Sequence, residues 1–380
     1  MFIQLDRDGT LEGLQVCLEK FRKNPAIKTI LILACAGNKL HHSIDRLNTV
    51  LQKMPLPLFG GIFPQIIHQG ERLEKGTIVA GFSSPLTVHV LEQLSNEDKD
   101  FDESIDRLIP NIGENRTMFV FFDGFAKRLN DLVDSLFTLF GVEVNYIGGG
   151  ACCIFEEVLD LTPQPCIFTN NGLISDAALL VLTTRHSGIG VSHGWTETGG
   201  PMKVTEAEGN SITSLDWQPA FPVYRRIIEK YSGKKITPDN FFSIAKEFPF
   251  GLTRLFQESV VRDPFFAQGD SLVFGIPIPA ETFVDILSGD RLLLPKAVNK
   301  ALHDAKHSFR GRQENACMFF FDCISRVFYL EEHITEEIAA VAGEGLPLIG
   351  AFTLGEIANS GKAFLEYYNK TSVVGLLEDE

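Results

Sequence analysis

Carboxylates that directly follow apolar runs are the first candidates for chemistry in this sequence. Asp322 follows the run CMFFF, and Asp123 follows the run MFVFF. Ligands in α/β sheets gather at the carboxyl ends of strands, so both aspartates are pocket candidates, and turn capping explains them equally well. Cys323 lies beside Asp322, but a Cys–His–Asp nucleophile would need a histidine brought close by the fold. Since no GxSxG or cysteine-protease signature occurs, we predict that the protein is not an enzyme.

A second set of residues suits the two charged groups of an amino acid. Arg262 and Asp263 are neighbours and by default form an ion pair that fixes a strand turn. If they face a cavity, they suit a ligand carboxylate and ammonium. Glu356 follows Gly355 and could accept a ligand ammonium or cap a backbone N–H. Thr353, in the same segment, is a further ligand-binding candidate.

A segment rich in Gly, Ser and Thr, 184–215, carries His193 and Trp195. At a domain interface, Trp195 would form an apolar wall and His193 a hydrogen-bonding or metal-ligating group. The simpler interpretation is a connector that a buried tryptophan holds in place. No CxxC, HExxH or CxxCH spacing occurs, so no metal site is predicted.

The cluster Gly148, Gly149 and Gly150 follows a short apolar segment, and its backbone N–H groups could hold an anion. Neither GxGxxG nor GxxxxGK[ST] is present, so nucleotide binding is not expected. A tight turn or a close backbone approach is the simpler reading, and the same glycines could line a ligand cavity.

Composition excludes several function classes. The net charge of −15 disfavours binding to nucleic acid or to anionic membranes. No apolar run approaches the ~18 residues that span a bilayer, and the acidic N-terminus is unlike a signal peptide. The odd number of cysteines, in mostly apolar surroundings, indicates reduced thiols. We therefore expect a cytoplasmic protein without membrane insertion.

A repeated unit positions these residues. An apolar run, a small or acidic break, a helical stretch, a second strand with glycine and a hairpin recur three times. The distance from the first strand to the glycine is 26, 26 and 29 residues, from Ala34 to Gly60, Phe122 to Gly148 and Phe321 to Gly350. We interpret Asp123 and Asp322 as equivalent positions in two copies.

A degraded fourth copy is possible over 219–231, 248–253 and 271–278. The repeats predict an α/β protein with mixed α+β sheets. We expect two pseudo-duplicated halves built from strand–helix–strand–hairpin units.

The segment SHGWTETGGPMKVTEAEGNSITSLDWQPAFPVY resembles the FIST family, whose amino- and carboxy-terminal domains meet around such a motif. The matching positions are His193-Gly194-Trp195, Gly199, Val204-Thr205, Gly209-Asn210, Leu215-Asp216, Pro219-Ala220 and Tyr224. Further resemblances are FPFGL (248–252), VVRDP (260–264), FDCISR (321–326), AFTLGEI (351–357) and the cluster at 148–150. The chain departs from the family at Trp217, Ala351 and Leu354, where glycine, glycine and an aromatic residue are commoner.

The resemblance implies a FIST N-like α/β domain over 1–190, a connector with the HGW motif over 191–215 and a FIST C-like domain over 216–380. It also implies an intracellular sensor that binds a small ligand such as an amino acid. No output domain is recognised, so the sensor would signal to a separate protein such as a histidine kinase or a chemoreceptor-type protein. Two alternatives stay open: a haem-binding nitric oxide sensor, although no cofactor is predicted, and an adaptor without a ligand.

Overall fold

A computed structural model describes residues 1–154, 163–254, 258–359 and 364–379. The first unit occupies residues 2–82 and begins with a strand and a helix. Its elements are β1 (Phe2–Asp6), α1 (Leu11–Arg22), β2 (Thr29–Cys35), α2 (Ile44–Gln52), β3 (Leu58–Phe63), β4 (Gln65–His68), β5 (Glu71–Leu73) and β6 (Thr77–Phe82).

The second unit occupies residues 87–183 and repeats this order. Its elements are β7 (Thr87–Glu92), α3 (Phe101–Leu108), β8 (Thr117–Asp123), α4 (Leu129–Phe140), β9 (Asn145–Ala151), β10 (Ile167–Thr169), β11 (Gly172–Ile174) and β12 (Ala177–Thr183).

The third unit begins with β13 (Ser187–Ser192) and is then interrupted by an inserted sheet, residues 196–288. The inserted sheet and its helices are β14 (Thr196–Glu208), β15 (Ser211–Leu215), β16 (Gln218–Pro219), α5 (Ala220–Ser232), α6 (Phe241–Ala245), β17 (Phe250–Leu252), β18 (Val260–Arg262), β19 (Pro264–Gln268), β20 (Ser271–Phe274) and β21 (Phe283–Ser288). The third unit resumes with α7 (Leu294–Ser308), β22 (Ala316–Cys323), α8 (Ile324–Leu330), α9 (Ile334–Ala342), β23 (Leu348–Thr353), β24 (Glu356–Ala358), β25 (Glu366–Tyr368) and β26 (Ser372–Glu378).

The first long strand of each unit is buried at every position, as continuous apolar runs predict for strands covered on both faces. Each pairs in parallel with the strand after its helix: β2 with β3, β8 with β9, and β22 with β23. The final strand of the unit, β6, β12 or β26, pairs antiparallel on the other side. The α/β class with mixed sheets and the repeating unit are therefore confirmed.

The hairpins are exchanged between units. The first unit's hairpin, β4–β5, extends the third unit's sheet through β23. The second unit's hairpin, β10–β11, extends the first unit's sheet through β3, and the third unit's hairpin, β24–β25, extends the second unit's sheet through β9. Because each sheet takes strands from two units, the three units depend on one another for a complete fold.

The recurring glycine has one structural role in all three units. A Cβ atom there would lie about 2 Å from a carbonyl oxygen of the parallel partner strand, which no side chain permits. The distances are 1.9 Å at Gly60 to Ile32, 2.0 Å at Gly148 to Val120 and 1.8 Å at Gly350 to Phe320. The glycine therefore allows β3, β9 and β23 to pack closely against their neighbours.

This register corrects the predicted equivalence of the two aspartates. Asp123 pairs with Ala151, three residues after its glycine, whereas Asp322 pairs with Phe352, two residues after its glycine. Cys323 is the residue equivalent to Asp123. A shift of one residue turns a side chain to the opposite face of a sheet, so the two aspartates face different surroundings.

The possible fourth copy is not a repeat of the unit. Its helix is present as α5, but β17 and β20 lie in the inserted sheet, where the strand pairs are antiparallel. The parallel strand pair that defines the other units does not occur in the inserted sheet's described pairings.

Phenylalanines fill the region where the three units meet. Rings from the second and third units pack edge to face, with centroids 5.1 Å apart for Phe119 and Phe319 and 5.5 Å apart for Phe121 and Phe321. Phe63 of the first unit adds an edge contact to Phe121 at 5.8 Å. Such contacts add stability beyond apolar burial. All seven cysteines are free and buried, as predicted. None of the described helices is long and apolar enough to cross a membrane.

Candidate functional site

Polar side chains of the third unit meet residues of the inserted sheet in the interior. We call this group the buried polar cluster. Its members are His193, Trp195, Arg262, Asp263, Asp322, Cys323, Arg326, Glu337, Thr353, Glu356, Lys370 and Ser372. Strands β22 and β23 run in parallel and end together at the paired residues Cys323 and Thr353, so the residues that follow them reach one edge of the sheet.

Arg326 lies at the centre of the cluster and is fully buried. Its Nε donates to Glu337 Oε2 at 3.0 Å, and its Nη2 also pairs with Glu337. Its Nη1 donates to the carbonyl oxygens of His193 at 2.7 Å and Lys370 at 2.8 Å. A buried charge is costly without partners, and these bonds supply them. They also fix the β13–β14 junction and the segment just before β26 in place.

Asp322 shares this environment with a second carboxylate. Its Oδ1 lies 3.3 Å from Arg326 Nε and accepts a hydrogen bond from Ser372 Oγ at 2.8 Å. Burial and the nearby Glu337 carboxylate raise the pKa of Asp322 well above its usual range, although Arg326 opposes the shift. Burying two adjacent carboxyl groups costs less free energy when one of them keeps its proton, so we assign the proton to Asp322.

Lys370 is the cation that pairs with Asp263. Its Nζ lies 3.2 Å from Asp263 Oδ1 and donates to the carbonyl oxygen of Lys246 at 3.0 Å. The same Nζ lies 4.8 Å from the centroid of the Trp195 ring, whose Nε1 donates to the Lys370 carbonyl at 3.2 Å. The default ion pair between Asp263 and Arg262 is therefore wrong, because neighbours on an extended strand point to opposite faces. Trp195 is held as a buried anchor.

Arg262 lies on the other side of its strand. Its Nη1 donates to the carbonyl oxygens of Val261 at 3.0 Å and Tyr367 at 2.9 Å. Burial lowers the pKa of Arg262 to about 10, and the Glu366 carboxylate opposes the shift. Its Nε is buried and has no hydrogen-bond partner among the described residues. The guanidinium therefore keeps one donor available beside the β24–β25 hairpin.

Glu356 begins that same hairpin and is fully buried. Its Oε1 accepts a hydrogen bond from Thr353 Oγ1 at 2.8 Å, whereas its buried Oε2 has no partner within the described parts of the chain. Burial raises the pKa of Glu356 well above its usual range. Burial and then Glu356 raise the pKa of the Cys323 thiol, whose Sγ lies 3.1 Å from Ser325 Oγ. A thiol in this state is a poor nucleophile at neutral pH.

His193 connects the β13–β14 junction to Glu258. Its Nδ1 accepts a hydrogen bond from the Trp195 backbone N–H at 2.9 Å, and its Nε2 lies 3.7 Å from Glu258 Oε2. Burial lowers the pKa of His193 to about 4, although Glu258 opposes the shift. The ring is therefore neutral, and its buried Nε2 has no hydrogen-bond partner among the described residues. Haem binding by the protein stays an alternative.

The glycine cluster forms backbone contacts with the third unit's hairpin. Gly149 pairs with Glu356, and the Gly150 N–H donates to the Gly355 carbonyl at 2.9 Å. A Cβ atom on Gly149 would lie 2.8 Å from the Thr353 side chain. The three glycines thus allow the hairpin and Thr353 to approach β9, as the predicted close backbone approach requires.

Sequence reasoning missed Arg326, Glu337, Lys370 and Ser372. The available signal was the i, i+4 spacing of Asp322 and Arg326 directly after an apolar strand, which places a carboxylate near a guanidinium. Lys370 gave no local signal, because its partners are distant in the chain. Among the described residues, no group of three or more His, Cys, Asp and Glu side chains could hold a metal ion.

Two family models match the chain, the FIST N domain over residues 29–218 and the FIST C domain over residues 220–359. The chain belongs to the FIST family. FIST domains are associated with signal transduction and with the sensing of small ligands. The family boundary at 218–220 falls within the inserted sheet, between β15 and α5. Residues 191–215, predicted as a connector, include all of β14 and all of β15.

No curated protein matches this FIST chain. Among solved structures, "Structure of PurLQS from Thermotoga maritima" matches with 10% sequence identity and a TM-score of 0.21. The match covers 100% of this chain and 72% of the other. At that TM-score it carries no argument about fold or function.

Proposed function

We propose that this FIST protein is a cytoplasmic sensor that binds a small amino-acid-like ligand at the buried polar cluster and signals to a separate protein. One observation carries the proposal. Arg262 Nε and Glu356 Oε2 are both buried, both lack a hydrogen-bond partner among the described residues, and both adjoin the β24–β25 hairpin. Buried polar groups normally have partners, so a ligand that supplies them gains free energy.

The chemistry of the two groups selects the ligand class. A guanidinium donor binds a carboxylate, and a carboxyl group binds an ammonium. A ligand ammonium beside Glu356 would favour the ionised carboxylate and so offset the cost of burying that charge. Arg262 and Glu356 together therefore suit a zwitterion whose charged groups lie on one small molecule.

The hairpin offers a route for the signal. Strand β24 pairs with β9 of the second unit, and the Tyr367 carbonyl in β25 accepts the bond from Arg262 of the inserted sheet. A ligand that engages both side chains therefore acts on an element joined to three parts of the molecule. A ligand that binds one position of the hairpin more tightly than another would shift the population toward that position. The receiver is a separate protein such as a histidine kinase or a chemoreceptor-type protein.

A thermal-denaturation screen with the common amino acids tests the proposal. We expect one or a few to raise the melting temperature, since ligand at about 100 times its dissociation constant stabilises the folded state by about 2.7 kcal/mol. Glu356→Gln and Arg262→Met are expected to remove the shift. Glu71→Gln, which changes an exposed carboxylate paired with Arg7 in another hairpin, should retain it.

Two outcomes would replace the proposal. No stabilisation by any amino acid or related metabolite would favour the adaptor that binds only proteins. A Soret band after haemin reconstitution that shifts with nitric oxide would favour the haem-based sensor instead.

A further inference from the structure

The turn between β15 and β16 places a tryptophan in an unfavourable position. Leu215 and Gln218 are paired, which leaves Asp216 and Trp217 as a two-residue turn. Both turn residues have positive φ, 48° and 59°. This geometry is that of the hairpin turn that favours Asn-Gly, because a Cβ atom is strained there. The backbone at the second position therefore disfavours the tryptophan that occupies it.

The side chain of Trp217 is also the most exposed large apolar group among the described residues, with 78% of its surface accessible. Trp195, by contrast, is 5% exposed. The Trp217 ring lies 6.0 Å from Lys203 Nζ, and that lysine is paired with Glu281. Large exposed aromatic residues are enriched where proteins bind partners, and tryptophan most of all.

A groove lies beside this turn, between α5 and the first half of β14. Its volume is about 560 Å³, and Asp216 and Gln218 of the turn form part of its wall. Helix α5 lines the groove with Arg226 and Lys230, which are four residues apart and so share one face of the helix. Tyr231, 59% exposed, lines it as well. Tyrosine, tryptophan and arginine together are typical of interface hot spots.

The charges of the groove indicate what binds there. Arg226 donates to Gln218 Oε1 at 3.2 Å, and neither Arg226 nor Lys230 forms an ion pair with any described residue. The one carboxylate in the wall, Asp216, accepts a hydrogen bond from the Lys203 backbone N–H at 2.9 Å. A cationic groove on a chain of net charge −15 is complementary to an acidic segment.

We propose that this groove, together with Trp217 of the adjoining turn, is the docking site for an acidic, aromatic-containing segment of the partner protein. Arg226 and Lys230 pair with its carboxylates, and Trp217 packs against its aromatic side chain. The inference rests on the proposed sensory function for the existence of a partner. Strand β14 links the two sites, since it begins directly after Trp195 of the buried polar cluster and its residues 198–202 line the groove.

Tryptophan fluorescence of the full-length protein provides the test, in the absence of any small ligand. The probe is a short labelled peptide of glutamate pairs separated by single phenylalanines. We expect the peptide to bind and to protect Trp217 from quenching by acrylamide. The same peptide with lysine in place of glutamate should bind at least about tenfold more weakly, because charge complementarity is reversed.

Variants assign the effect to the groove. Arg226→Gln combined with Lys230→Gln, and separately Trp217→Gly, should each weaken peptide binding about tenfold. Arg225→Gln is the matched control, because this arginine of the same helix stacks on Phe221 outside the groove. It should change binding less than about twofold.

Equal binding of the acidic and basic peptides would overturn the proposal, as would tighter binding of an RNA oligonucleotide than of the acidic peptide. Concentration-dependent dimerisation that Trp217→Gly abolishes would assign the surface to a second copy and would also overturn it. Because the peptide is measured without ligand and the amino-acid screen without peptide, failure of one proposal is distinguishable from failure of the other.

Discussion

The first and third units share a backbone architecture but differ in what they bury at the same positions. Counted from the glycine of each unit, the equivalent pairs are Ala34 and Asp322, Phe63 and Thr353, and Ile66 and Glu356. All six residues are essentially inaccessible to solvent. At these equivalent positions the first unit buries apolar side chains, whereas the third unit buries carboxyl and hydroxyl groups.

This difference separates scaffold from site. Burying an unpaired polar group costs free energy, and an apolar residue of similar size would avoid that cost. The first unit shows that the fold forms with apolar residues at these positions. The third unit buries polar groups there and joins them to the inserted sheet through Lys370, whose Nζ pairs with Asp263. The proposed ligand-binding function accounts for this cost.

The largest effect expected from this comparison is on Arg326. Arg326→Met leaves the Glu337 carboxylate buried without its cation, so the free energy of unfolding should fall by about 3–5 kcal/mol. The matched control is Arg107→Met, which breaks an exposed pair with Glu103 and should cost less than about 1 kcal/mol. Urea denaturation measures both. A loss for Arg326→Met no larger than the control's would show that the third unit tolerates an apolar interior as the first does.

A smaller effect is expected at the recurring glycine, which all three units share. Gly350→Ala places a methyl group 1.8 Å from the Phe320 carbonyl oxygen, and we expect a loss of about 2–3 kcal/mol as β22 and β23 move apart. Gly343→Ala, where the nearest atom is 3.8 Å away, should change stability by less than about 0.5 kcal/mol. Equal stability of the two variants would contradict the role assigned to the recurring glycine.

The smallest effect is a pH dependence that the first unit cannot show. The buried Glu356 carboxyl keeps its proton to a higher pH than in the unfolded chain, because burial raises its pKa. The unfolded chain loses that proton first, so this group's contribution to stability falls as pH rises above about 4.3. Glu356→Gln cannot titrate, and it should gain stability relative to wild type between about pH 5 and pH 6. The slope is at most about 1.4 kcal/mol per pH unit.

Denaturation of wild type and Glu356→Gln in parallel across this range measures the difference. A constant difference would mean that the carboxyl titrates as it does in water. Ile66→Leu, which changes the equivalent apolar residue of the first unit, is the control, and its difference in stability from wild type should be the same at every pH.

The sequence predicted what local patterns encode. The apolar runs at 29–34 and 118–122 became buried strands, and the spacing to Gly60, Gly148 and Gly350 identified the unit. The exchange of hairpins was not predictable, because a hairpin's own residues do not specify which unit's strand it joins. Counting residues up to the glycine also did not reveal that Asp123 and Asp322 differ in strand register by one residue. For that reason the sequence pairs Asp123 with Asp322 and not with Cys323.

The candidate site was predictable only in part. Arg262, Asp263 and Glu356 were selected by residue type, and the fold brings their elements together. The partners could not be assigned. Asp263 pairs with Lys370, more than a hundred residues away, and not with its neighbour in the chain. Pairing across the interface between the inserted sheet and the third unit is a tertiary property that spacing does not encode.

The most direct measurement of the central claim is a crystal structure of the protein grown with a mixture of the common amino acids. We predict electron density for one amino acid at the buried polar cluster, with its carboxylate at Arg262 and its ammonium at Glu356. A cluster in which those two side chains contact only water or other protein groups, with the amino acid absent or bound elsewhere, would contradict it.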